Sequence, residues 1–209
     1  MLRLIIRILF LVSMPFICLI RGAIYLHEAY QLGPNMCIVG GLGMATFLVA
    51  IYLIFFYGKV TGKVGNLRIK LCIAFFIVAI YSIHGLFFLS ANNVKYSKIQ
   101  QEFSSIHPIL RLSLSTAIRL DPTLIITDGN RTPEDYRKMG LPSKKHSLHY
   151  KQKSGYVHAV DIRTNNRSFL RNYLIRGYFW MMGFNTLLHG GSGEHLHVSL
   201  LSWDKPGSI

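Results

Sequence analysis

Apolar positions follow two regimes along the chain. Residues 37–57 and 71–91 each run for about twenty residues without an Asp, Glu, Lys or Arg, enough as helices to cross a hydrocarbon core of about 30 Å. A helix that is apolar on every side suits lipid and not water. A third apolar stretch, 4–20, is interrupted by Arg7, bent by Pro15 and closed by Arg21. It reads as a span, an interfacial helix or an uncleaved signal anchor, because no small-residue cleavage site follows it. The pattern therefore predicts a membrane anchor over 1–91 with two to three transmembrane helices. Gly40, Gly41 and Gly43 place small residues where a neighbouring helix can approach closely. His84 in the last span reads as a residue partnered within a helix bundle.

From residue 92 the pattern becomes that of a water-soluble α+β domain, 92–209. Residues 99–119 have helical spacing interrupted at Pro108, and Leu124 to Thr127 form a short strand candidate. Thr132 followed by Pro133 marks a helix start. Residues 156–163 alternate as a strand does, and 168–182 read as an amphipathic helix that Gly183 ends. Residues 184–188 and 195–201 are two further strands. A small sheet with flanking helices is the expected architecture.

Charge adds an orientation. The 209 residues carry a formal +14. Seven Lys/Arg and one Glu lie in 1–91, and sixteen Lys/Arg and eight Asp/Glu lie in 92–209, giving +6 and +8. Residues 58–70 hold Lys59, Lys63, Arg68 and Lys70 and no acid. By the positive-inside rule they face the cytoplasm, and the following span delivers 92–209 to the periplasmic side of an inner membrane. A basic domain there suits anionic lipid or wall polymer. No run of Lys/Arg with interleaved aromatics argues for nucleic acid. Cys18, Cys37 and Cys72 all lie in or beside the apolar stretches, so the domain has neither a disulfide framework nor a thiolate metal site.

Six of the nine histidines lie between 146 and 197. His195 and His197 are two apart and share a face on a strand. His158 and Asp161 fall on opposite faces of a regular strand, which makes them poor co-ligands. His107, His158 and His189 read as structural. Two imidazoles and one carboxylate can hold a zinc ion and leave a coordination position open.

The order Ser147-Leu148-His149, then Gly155, then Ala159-Val160-Asp161, then His195-Leu196-His197 resembles the zinc D-Ala-D-Ala carboxypeptidase family. That family includes phage endolysin L-Ala-D-Glu peptidases and vancomycin-resistance D,D-dipeptidases, and the Hedgehog signalling domain shares its fold. The run Ile126-Thr127-Asp128-Gly129-Asn130-Arg131-Thr132-Pro133-Glu134 is similar to the family's strand-to-helix segment. The likeness covers roughly residues 100–203 and none of the anchor. It implies a Hedgehog/DD-peptidase-like C-terminal domain with Zn2+ bound by His149, Asp161 and His197. His146 is the alternative to His149, since the interval from His149 to Asp161 is longer than the family's usual one. Glu194 is implied as general base and acid, His195 as a group beside the metal, Arg131 as the contact to the substrate peptide, and Ser147 as support for the ligand loop. The expected activity is a metallopeptidase acting on peptidoglycan stem peptides in wall remodelling or lysis. The alternative is an inactive wall-binding or assembly protein that keeps the fold.

Overall fold

The computed structural model describes residues 2–63, 65–138, 140, 142, 146–190 and 193–204. The chain divides into two compact units, residues 1–84 and 85–209.

In the first unit, α1 (Leu2–Tyr30), α2 (Pro34–Thr61) and the body of α3 (Leu67–Phe87) are three helices long and apolar enough to cross a membrane. Helix α1 extends well beyond the 4–20 read from sequence and passes through Pro15 without ending. A spanning helix tolerates this break because its other backbone bonds are kept within the helix. Pro34 starts α2, where its missing N–H costs nothing, and Gly62 ends it in the left-handed conformation at φ 68°. Asn66 begins α3 by accepting the Arg68 N–H on Oδ1 (2.9 Å). Helices α1 and α2 pack together. A Cβ on Gly41 would lie 2.3 Å from the Leu19 carbonyl oxygen, so at this point the two backbones approach as only glycine allows.

The second unit is α+β. A short helix, α4 (Ser97–Gln101), precedes α5 (Pro108–Leu120). Pro108, expected to interrupt a helix, instead opens one, with His107 Nδ1 accepting the Ile109 N–H (3.4 Å). Strand β1 (Ile126–Asp128) leads into α6 (Pro133–Lys138), and β2 (Ala159–Arg163) into α7 (Phe169–Met182). Strands β3 (Asn185–His189) and β4 (His195–Ser199) follow. The sheet is antiparallel in the order β1-β2-β4-β3. Val160, Ile162, Leu196 and Val198 form its buried apolar face. Helix α7 packs against β3, β4 and α5 and buries Ile175, Phe179 and Met182. Ser168 caps it, and Gly183 at φ 105° ends it.

Candidate metal centre

The opposite face of the sheet carries most of the candidate site. In the β2–β4 register Asp161 lies directly across from His197, and Arg163 from His195. Period-2 alternation puts these four side chains on the face opposite the apolar core. The third candidate ligand, His149, comes from the loop before β2. Ser147 Oγ accepts the His149 N–H (3.2 Å) and is bonded to Tyr136 Oη (2.7 Å). The Arg131 N–H donates to the His149 carbonyl (3.0 Å). His149 is thereby fastened to the β1–α6 segment, and the longer interval before Asp161 is taken up in a loop whose return is set by the His158 N–H on the Leu148 carbonyl (2.9 Å).

His149, Asp161 and His197 are all buried, and each offers a ligand atom within 4.8 Å of the others. His197 Nδ1 lies 2.9 Å from Asp161 Oδ1 and 3.3 Å from His149 Nε2, and His149 Nε2 lies 3.4 Å from Asp161 Oδ1. Tetrahedral ligands at zinc-like bond lengths would be about 3.3–3.5 Å apart. His149 donates from Nδ1 to the Gly129 carbonyl (2.7 Å), so in the neutral ring Nε2 presents a lone pair. That lone pair and Asp161 Oδ1 then face one another with a single proton, on His197 Nδ1, to serve both. His197 Nε2 is also buried without a hydrogen-bond partner. A divalent cation satisfies three converging electron-pair donors where one proton cannot, so the residues present fit a bound metal ion.

Asp161 is prepared for that role. Its Oδ2 accepts from Arg131 Nη2 (2.6 Å), which leaves Oδ1 to the imidazoles. Burial opposes its charge, but His149, His197 and Arg131 together outweigh burial and hold the carboxyl well below its usual range. Arg131 Nε also donates to Asp128 (2.7 Å). Burial disfavours its charge too, yet Asp161 and Asp128 keep the guanidinium more firmly protonated than usual.

Around this centre, His195 donates from Nδ1 to the Gly193 carbonyl (2.6 Å) and brings Nε2 to 3.7 Å from Asp161 Oδ1. Its ring stacks on His189 with centroids 4.6 Å apart. Glu194 is exposed immediately before β4. His146 is exposed and stands outside the cluster. His158 is bonded to Leu201 and Ser154 and packs on His107. Asp128, Gly129 and Tyr136 were not singled out from sequence as working residues. The signal for Asp128 was its position within the run that carries Arg131, three residues away.

No protein-family model, no curated protein and no solved structure matches this chain.

Proposed function

We propose that the chain is a membrane-anchored zinc peptidase of the D-Ala-D-Ala carboxypeptidase type, hydrolysing peptidoglycan stem peptides on the outer side of an inner membrane. One observation carries this reading: His149, Asp161 and His197, far apart in sequence and ordered as in the family this chain resembles, bring their donor atoms together in a buried site. Nitrogen and carboxylate donors in this number suit zinc with one position left open. The same likeness assigns the α+β unit to the Hedgehog/DD-peptidase fold. The three apolar helices and the basic 58–70 segment support a multi-pass anchor with the domain outside.

When bound, the ion supplies Lewis acidity toward a peptide carbonyl and makes water nucleophilic at neutral pH. The chain's own groups do the rest. Arg131 and Asp128 hold Asp161 with one oxygen presented to the imidazoles, and Gly129 sets the tautomer of His149. Glu194, solvent-accessible at the head of β4, takes a proton from the attacking water and returns it to the leaving amine. His195, with Nδ1–H held by the Gly193 carbonyl, has an Nε2–H to donate toward the developing oxyanion when its ring is the imidazolium.

A second reading has its own observation. Arg131, expected to contact substrate, has its guanidinium bonded to two carboxylates. A wall-binding protein that retains the metal as a structural element has no need of an open guanidinium. The full-length chain in detergent separates the two. For a peptidase, the wild type releases muropeptides from purified sacculi, Glu194→Ala keeps the metal and loses release, and His197→Ala loses both. Zinc and sacculus binding without any release from the wild type rejects the peptidase.

A further inference from the structure

Helix α7 is apolar on both sides. Ile175, Phe179 and Met182 face the core, while Phe169 (74% exposed), Leu170, Tyr173, Leu174, Trp180 (71%) and Met181 are turned outward. At 3.6 residues per turn these six occupy one arc of about 140°. Arg171 and Arg176 project from the two edges of that arc, and no Asp, Glu or Lys occurs anywhere from 164 to 193. Six large apolar side chains side by side are more than a monomeric water-soluble domain ordinarily exposes.

We infer that the outer face of α7 is a membrane-docking surface, lying in the headgroup region of an anionic bilayer. Three features of the chain select lipid as the occupant. First, its candidate spans, the last ending at Phe87, hold the second unit at a bilayer surface through its own backbone. Second, the composition is that of an interfacial helix: Phe169, Trp180 and Tyr173 along one half of the arc, Leu170, Met181 and Leu174 along the other, and arginines at the rims whose stems can lie along the acyl boundary while their guanidinium groups reach phosphates. Third, the rim is net cationic: Asp121 lies beside Arg171 but is paired with Arg167, which leaves Arg171 and Arg176 to match anionic headgroups. A symmetric contact with a second copy would press arginine rims together, with the nearby Asp121 of each copy already committed to Arg167. Docking restricts how the metal-bearing face of the sheet can turn relative to the membrane. The inference rests on the spans and on α7 and is independent of the peptidase reading.

The chain has two tryptophans, so Trp203→Phe leaves Trp180 as the sole reporter. The full-length variant is reconstituted into phosphatidylcholine vesicles with about one-third phosphatidylglycerol, with and without brominated acyl chains. Trp180 emission is expected to fall at least about twofold in the brominated vesicles and to resist aqueous acrylamide. Leu170→Gln with Leu174→Gln should remove most of that quenching, and Arg171→Gln with Arg176→Gln should remove its dependence on phosphatidylglycerol. Far-UV circular dichroism in detergent, before reconstitution, checks that each variant remains folded. Trp180 open to acrylamide and untouched by bromolipid overturns the inference. So does Trp180 shielded from both, which would place protein on this face.

Discussion

Asp161 is the residue on which the site turns, because each of its oxygens has a different task. Oδ2 is held by Arg131, and Oδ1 is left to two imidazoles. In the proposed metal centre Arg131 therefore acts through Asp161, as a positioning residue. Arg131→Gln is expected to weaken zinc binding by about 10–100-fold, the usual effect of losing a group that orients a ligand. Arg131→Lys should recover only part of this, since a point-like ammonium cannot bridge Asp128 and Asp161 as a planar fork does. Chelator competition on the full-length protein measures both. Equal affinity in wild type and Arg131→Gln would remove Arg131 from the metal centre. His149 and His197 contribute directly, so either one replaced by Ala should bring bound zinc close to zero by elemental analysis.

At the scale of elements, stability depends on how helices begin, end and meet. Asp121 at the end of α5 pairs with Arg167 just ahead of α7 and accepts from the Thr123 N–H and hydroxyl. Burial works against the Asp121 charge, but the Thr123 and Arg167 bonds prevail and hold its carboxyl below the usual range. A depressed native value means the contribution is complete above the ordinary carboxylate range and is lost as pH falls through the native value. Asp121→Asn should cost about 1–2 kcal/mol near neutrality. The gap in Tm between wild type and variant should close below about pH 4, and a gap that is flat with pH would exclude the ion pair as its source. In the anchor, Gly41→Leu puts a side chain against the Leu19 carbonyl. It should lower the Tm of the detergent-solubilised chain through about 1–3 kcal/mol of overpacking.

For the whole molecule, the proposed function requires the candidate metal site to lie on the outer side of the membrane that the three apolar helices are long enough to cross. Residues 58–70 carry four basic residues and no acid, so a periplasm-active reporter fused after residue 95 should be active, and a cytoplasm-active reporter at the same point silent. The reverse result would separate the site from any wall substrate.

Much of this was legible in the residue pattern, for identifiable reasons. Stretches of about twenty residues without charge have one stable use in lipid, and a long apolar helix stands at each of the three, with α1 and α2 reaching further and α3 shifted to Leu67–Phe87, short of the 91 read from sequence. Strand alternation is a local property, so the shared face of His195 and His197 followed from their spacing. Pro108 and Pro133 were visible as breaks or starts, although only packing revealed that Pro108 opens α5. Tertiary structure alone could decide the rest, because it depends on atoms brought together from distant positions. The register set Asp161 opposite His197. Loop closure chose His149 over His146. Arg131, expected to meet a substrate, is bonded to Asp128 and Asp161, partners that the sequence did not assign to it. Periodicity tells which way a side chain points, and the three-dimensional fold decides what it meets there.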